Sequence, residues 1–447
     1  MTDVIDRRDA LKLGASVGAG LALASLSGST AATEKNEPPR FRPIPRIRVG
    51  MVGIGGRGAS LLELLLGQEH VEVRAVCDLL EDRVRLAQEA TVKSNQRRPD
   101  GYFANEQDFQ RLCDRDDLDL VVTATPWRWH VPVCVSAMKS GHHAATEVPA
   151  AVTIDECWQL VETAEKTRRH CVMLENCCYG RTEMMVLNMV RQGFLGELVH
   201  GEAGYMHELR EDRELLGPNG EVRWRLQHMI GRNGNLYPTH GLGPVAQCMD
   251  INRGDQFDYL VSMSSLSRGL NVHYAKRFGK DHPLATRKYA IGDVNVTMIR
   301  TKQGRTITVG HDTQLPRPYS RINMVQGTKG IVRGYPDRIA LETNGNGSIW
   351  EPLDNYRQTY EHPLWKRLIR KAAGKGHGGM DYMQIHRLIE CLRDGTAPDM
   401  DVYDAAAWSA ISELSERSVA DRSRSIDVPD FTRGRWKTNK PLGIVGG

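Results

Sequence analysis

An α/β fold is what this sequence predicts: a doubly wound parallel sheet, then an α+β domain with a large, mainly antiparallel sheet. Three observations carry that expectation. Strand-like and helix-like patterns alternate from residue 46 to about 170. The first of those strands runs into a glycine-rich turn and a helix. Past about Arg181 the pattern changes to short segments rich in Val, Ile and Thr, with polar and apolar residues alternating.

The alternating half is taken in order. Strand 46–55 leads to helix 57–67, strand 71–78 to helix 81–93, and strand 118–125 to helix 130–140. Strand 143–147 leads to helix 153–168, and strand 171–176 closes the series. This rhythm is that of a sheet with helices on both faces, whose ligands sit beyond the carboxyl ends of the strands. At the first of those ends stands Gly53-Ile54-Gly55-Gly56-Arg57-Gly58, a G-x-G-x-x-G turn, and Asp78 ends the second strand. The glycines permit a tight turn, backbone approach to a pyrophosphate, and close packing of helix on strand. The helix start offers N–H groups and a positive dipole end to phosphates. A carboxylate at position 78 suits a ribose hydroxyl and repels a 2′-phosphate, so NAD is expected over NADP. The half from 46 to 180 therefore reads as a Rossmann-type, NAD-binding domain.

In the second half, 198–207, 259–267, 294–301, 305–311 and 322–327 read as strands, and 380–394 and 403–420 as helices. The α+β domain is assigned to 181–430, with a tail at 431–447. An exposed face of its large sheet points to a homo-oligomer.

The first residues concern transport. Asp6-Arg7-Arg8-Asp9-Ala10-Leu11-Lys12 is a twin-arginine pattern, followed by a weakly apolar run to Leu26 and small residues at Ser29 to Ala32. The expectation is a signal peptide over 1–32, passage through the twin-arginine translocase, and a periplasmic or exported protein. Cleavage would fall near Ala31 or Ala32, with retention as an anchor the other outcome. Residues 33–45 read as a loosely draped linker rich in proline.

Composition narrows the function class. A formal charge of +4 over 447 residues, with no basic run interleaved with aromatics, excludes a nucleic-acid role. Nine cysteines without a C-x-x-C exclude a disulfide framework and a structural metal. No metal ligand set is assigned.

Further motifs fall at the carboxyl ends of the strands: Trp127-Arg128-Trp129-His130-Val131-Pro132, Glu147-Val148-Pro149, and Glu175-Asn176-Cys177-Cys178-Tyr179. Beyond them come Trp224-Arg225, Tyr237-Pro238-Thr239-His240-Gly241, Arg317-Pro318-Tyr319-Ser320-Arg321 and His377-Gly378-Gly379-Met380-Asp381. Asp381 after two glycines reads as a helix N-cap, on a turn that is also placed to close over a ligand.

Taken together these motifs resemble glycoside hydrolase family 109, within the glucose–fructose oxidoreductase/inositol dehydrogenase superfamily. The resemblance runs almost the length of the chain. It implies an NAD-dependent glycosidase acting on N-acetylgalactosaminides, with an α preference inherited from the family. The superfamily's oxidoreductases usually carry E-K-P, and here Val148 replaces that lysine. The runner-up is an NAD(P)-dependent sugar oxidoreductase of the same superfamily; a binding protein with an inert nucleotide stands third.

The implied chemistry is redox-neutral. Transient oxidation at C3 acidifies C2, loss of the C2 proton expels the C1 substituent, water adds at C1, and C3 is re-reduced. Carried over motif by motif, Gly53, Gly55, Arg57, Gly58 and Asp78 would hold the pyrophosphate and adenosine ribose. Trp127, Arg128, Trp129 and His130 would border the cofactor, and Glu147, Val148 and Asn176 would line the nicotinamide ribose. Tyr237 and His240 are the proton-transfer candidates, because imidazole titrates in the physiological range. Tyr205, Arg225, Tyr237, Pro238, Thr239, His240 and Tyr319 would contact the sugar, where an aromatic face and fixed donors suit a pyranose.

Overall fold

The computed structural model describes residues 41–213 and 215–445. The twin-arginine segment and residues 33–40 of the linker lie outside the described residues.

Strands β1 (Ile47–Val52), β2 (Val71–Cys77), β3 (Asp100–Tyr102), β4 (Leu120–Thr123), β5 (His143–Thr146) and β6 (Cys171–Met173) form the first sheet. Their order is β3-β2-β1-β4-β5-β6, and every pairing is parallel. Buried on both faces, β1, β4 and β5 are short apolar runs with hardly a polar interruption. Their helices begin where chemistry dictates. The helix Ile154–Thr167 opens on a capping box in which Thr153 accepts from the Glu156 N–H and Glu156 returns the bond. Strand β3 and the short helix Phe109–Cys113 are additions to the expected pattern. Three residues of Asp-Gly-Tyr carry no apolar period, and only edge pairing with β2 makes them a strand.

The second sheet has nine strands. β7 (Leu198–Met206), β8 (Phe257–Ser264), β9 (Val294–Thr301), β10 (Thr306–Asp312) and β11 (Met324–Gly327) match the segments expected from sequence. β12 (Gly330–Arg333), β13 (Arg338–Leu341), β14 (Glu351–Pro352) and β15 (Ile426–Asp427) complete it. The order is β14-β13-β12-β11-β7-β10-β9-β8-β15, antiparallel throughout except for β10 against β7. On β9 the alternation is strict: Asn295, Thr297, Ile299 and Thr301 are buried, while Val296, Met298 and Arg300 are exposed.

One face of this sheet is covered by helices. Val402–Ala420 lies against β8 and against the helix Ile154–Thr167, so it joins the two sheets. Its start is fixed by Asp401, which accepts from the Tyr403 and Asp404 N–H groups, and by Arg253 on Asp401 and Asp404. Thr239–Cys248 crosses β7 at a pair of glycines. A Cβ on Gly241 would lie 2.2 Å from the Gly204 nitrogen, so backbone rests on backbone there.

One expectation needs correction. The end of the linker is not draped loosely: Phe41 N–H donates to the Gly395 carbonyl, Ile44 N–H donates to Leu392, and the Phe41 ring lies 3.8 Å from His170. The two backbone donors find partners at a helix C-terminus that Gly395 ends in the left-handed conformation, and the ring finds its partner just before β6. The region 431–445 is likewise anchored, with Phe431 packed on Trp158, Trp436 buried, and the Ile444 carbonyl accepting from His362.

Because Gly241 has no room for a side chain, Gly241→Ala is expected to cost ~1–3 kcal/mol through overpacking. Denaturant unfolding of the variant against the parent measures that loss.

Candidate active site

All the sequence motifs at strand ends converge on one cleft of about 710 Å³. Its lining draws on the turns after β1, β2, β4, β5 and β6, and on β7, the helix Trp224–Gly231 and the helix Thr239–Cys248.

The floor at the β1 end is backbone. Gly53 has φ +84°, and a Cβ on Gly58 would lie 1.9 Å from the Gly53 carbonyl oxygen, so neither position accepts a side chain. The helix Gly56–Leu66 starts here with no side-chain cap and no acid in its first turn. Its first N–H groups are therefore left for an outside acceptor, the arrangement an anion needs. Asp78 Oδ2 accepts the Ile54 N–H at 2.7 Å and Oδ1 accepts Leu80 N–H at 3.0 Å, which clamps the carboxylate between turn and strand end. Arg83 stands 3.5 Å from Oδ1. A glycine cradle, a free helix start and a fixed carboxylate on the ribose side fit a dinucleotide.

Arg57 departs from the expected phosphate role. Its guanidinium turns inward, donating to Glu147 Oε1 at 2.6 Å and to both Asp381 oxygens at 2.6 and 3.3 Å. Asp381 also accepts from Asn176 Nδ2 at 2.5 Å and pairs with His377 at 2.8 Å. Burial opposes the Asp381 charge, but His377 and Arg57 outweigh it and hold the carboxyl well below the usual range. Asp381 is therefore not an N-cap; Gly379 occupies that place. Its carboxylate ties the late helix to the strand ends that form the cleft wall.

The turn after β4 serves the cleft unequally. Trp127 is buried and lines it. Arg128 and Trp129 line it as well, with Trp129 packing its ring on Phe109 and Arg128 reaching out to Glu106. His130 also borders the cleft, yet its two ring nitrogens face the carbonyls of Pro149 and Thr125 at 2.8 Å each, the single N–H of the neutral ring donating to one of them. Its job is to hold the turns after β4 and β5 together. Val148 lines the cleft just before Pro149.

On the opposite wall lies an aromatic cage. Tyr237 stacks on Trp127 at 5.9 Å, and Tyr205 stands 4.6 Å from Tyr237. The Arg225 guanidinium lies 5.1 Å from the Trp224 ring centre and 5.6 Å from those of Trp127 and Tyr237. Burial raises the Tyr205 phenol to about 12 and drives Tyr237 well above the ordinary value, so both stay neutral donors. Tyr319 sits just outside, 6.4 Å from Tyr205. Pro238 and Thr239 do not line the cleft; Thr239 is wholly buried in the first turn of its helix.

His240, the next residue of that helix, lines the cleft 4.9 Å from Tyr237. Its Nδ1 meets Glu175 Oε1 at 2.7 Å. Glu175 is fully buried just beyond β6 and also accepts the Cys177 N–H at 3.1 Å. Burial works to raise this carboxyl, and His240, Thr239 and the Cys177 amide outweigh it, keeping it below the ordinary range. Glu175, Cys177 and His240 have ligand atoms within 4.8 Å of one another. Burial raises the Cys177 thiol well above its ordinary value.

Sequence reasoning assigned no role to Glu175, although it precedes Asn176 in the same motif. Its signal was a carboxylate at the carboxyl end of a buried strand. Asp381 was read as an N-cap, which it is not, and His377 stood in the same motif with no role assigned.

Comparison with known proteins settles the family. Residues 179–438 match the family model "Glycosyl hydrolase 109, C-terminal domain", and 47–175 match "Oxidoreductase family, NAD-binding Rossmann fold". The chain belongs to glycosyl hydrolase family 109. Family 109 proteins of Solibacter usitatus and Shewanella baltica are 50% and 48% identical to it, the alignments covering 98% and 99% of this chain and 100% and 99% of theirs. Among solved structures, an NAD-binding oxidoreductase from Klebsiella pneumoniae superposes with a TM-score of 0.68 at 14% identity, covering 87% of this chain and 100% of its own. A levoglucosan dehydrogenase in complex with NADH gives 0.65 at 19%, covering 86% and 100%. These two share the fold. The cofactor of this family 109 enzyme is NAD, held by the Rossmann half.

Two measurements follow from this geometry. Asp381→Asn leaves Arg57 and its neighbours with one charge fewer in a buried cluster, and is expected to lower stability by about 3 kcal/mol in denaturant unfolding. Burial, with Arg225 close by, lowers both His228 and His311 to about 4. In the unfolded chain these imidazoles bind protons below about 6.5, and in the folded chain only below about 4. Stability is therefore expected to fall as pH drops from 6.5 toward 4. His311→Gln should shrink the difference in unfolding free energy between pH 7 and pH 5.

Proposed function

We propose that this enzyme hydrolyses N-acetylgalactosaminides, of α configuration, by a redox-neutral route. When bound, NAD supplies reversible hydride transfer at C3 of the sugar. The remaining work falls to side chains of the cleft. The observation that carries the reading is the buried Glu175–His240 pair, which opens onto the same cleft as the glycine cradle.

With Nδ1 held by Glu175, the imidazole keeps Nε2 for the substrate. Nε2 takes the C3 hydroxyl proton and later returns it, and the Glu175 carboxylate stabilises the imidazolium between those events. Tyr237 stays a neutral phenol and donates a hydrogen bond to the sugar rather than acting as a phenolate. A carbonyl at C3 acidifies the C2 hydrogen, and loss of that proton expels the C1 substituent. Water then adds at C1, and C2 is reprotonated. The aromatic cage of Trp127, Tyr205 and Tyr237 supplies a face for the ring, and Arg225 supplies fixed donors beside it. Val148, in place of a lysine, puts no second proton carrier at the turn after β5.

A panel of nitrophenyl glycosides in deuterated buffer tests this. The expected result is aglycone release without added nicotinamide, no accumulating NADH, and deuterium at C2 of the product. Stoichiometric NADH instead would mean a sugar oxidoreductase. His240→Ala is expected to lower kcat ~10²–10⁴-fold, the usual worth of a positioned acid–base group. Glu175→Gln should lower kcat less and leave KM nearly unchanged.

A further inference from the structure

We propose that Arg213, from the α+β half, is the side-chain cation for the dinucleotide pyrophosphate. Three observations lead there. First, the glycine-rich turn lacks a cation of its own, because the Arg57 guanidinium is committed to Glu147 and Asp381. The helix Gly56–Leu66 supplies backbone N–H groups alone at the phosphate position.

Second, the Arg213 guanidinium lies directly on that helix start. It lines the cleft, and a Cβ on Gly56 would fall 1.6 Å from its Nη2. Third, neither the fingerprint nor the backbone conformation requires glycine at 56. It is not one of the fingerprint glycines (53, 55 and 58), it is exposed, and its φ is not positive. Alanine is the better residue at an exposed helical position, and the three atoms nearest a Cβ there all belong to the Arg213 guanidinium. The missing side chain makes room for the guanidinium.

A cation laid on the positive end of a helix is favourable when an anion lies between them. A pyrophosphate in the glycine cradle is that anion. The arrangement also links the two ligands of the cleft. Arg223 donates from Nη1 to the Arg213 carbonyl at 3.1 Å, and a Leu216–Val222 bridge closes the hairpin between them. That hairpin leads directly into Trp224 and Arg225. A dinucleotide gripped by Arg213 thereby sets the position of the helix that carries the sugar-facing arginine.

The experiment is calorimetric titration of the nucleotide-free, full-length protein with NAD, ADP and adenosine. Arg213→Ala and Gly56→Ala should each weaken NAD and ADP roughly tenfold or more, as expected for one charge-assisted contact, and leave adenosine unchanged. Arg213→Lys should recover part of the loss, and raising salt should narrow the gap between parent and Arg213→Ala. Thermal melting of Gly56→Ala at or above the parent value separates the effect from misfolding. Unchanged NAD affinity in Arg213→Ala would overturn the proposal. So would an equal loss for NAD and adenosine, which would mean a displaced loop rather than a lost phosphate contact.

Discussion

The bond between Glu175 and His240 is the constraint on which the active site depends. A carboxylate with no solvent exposure is costly to bury unless its charge is met. Here an imidazole from a helix 65 residues later in the chain meets it, together with the Cys177 amide. Glu175 belongs to the end of the parallel sheet, and His240 to the helix that rests on β7. The bond therefore spans the seam between the two halves at the base of the cleft. It also engages Nδ1 of the imidazole, so the proposed mechanism runs through Nε2.

A second ionic cluster does the same work nearer the cofactor side. Arg57, Glu147, Asn176 and Asp381 come from the turns after β1, β5 and β6 and from the late helix Met380–Asp394. Each alone would be a buried or half-buried charge or amide with a desolvation cost. Together they satisfy one another and fix the rim of the cleft. The outcome is a division of labour. Carboxylates and arginines sit behind the walls, while the surface offered to a sugar is made of neutral phenols, an indole and the caged guanidinium of Arg225. In such a water-poor site each remaining charge acts more strongly than it would in solvent. Burial of the rings themselves, with arginines nearby adding to it, keeps His228 and His311 neutral well below their usual range.

Much of this was legible in the chain. β1, β2, β9 and the helix 380–394 follow from period and punctuation, since each is long enough for its apolar spacing to be distinctive. The short or polar elements were not. β3, β14 and β15 have two or three residues each and become strands only because a neighbour offers its free edge. The helix Thr239–Cys248 was hidden by two glycines and a proline, Gly241, Gly243 and Pro244, which read locally as a loop. Close contact with β7 at Gly204 is what those glycines serve.

Among the site residues the same line divides what was readable from what was not. The glycine turn and Asp78 announced a dinucleotide, because that chemistry demands particular residues at particular points of a parallel sheet. The histidine and aromatic residues of the second half were instead singled out through the family resemblance. Their hydrogen-bond partners could not be announced. His130 and His240 look alike in sequence; one has both nitrogens against backbone carbonyls and the other pairs Nδ1 with a buried carboxylate. Arg57 sits in the phosphate turn yet serves Asp381, 324 positions away. Composition and spacing determine which groups a chain owns and where its sheets end. Only folding decides which charges meet across that distance, because pairing depends on the few ångströms separating atoms that the sequence leaves far apart.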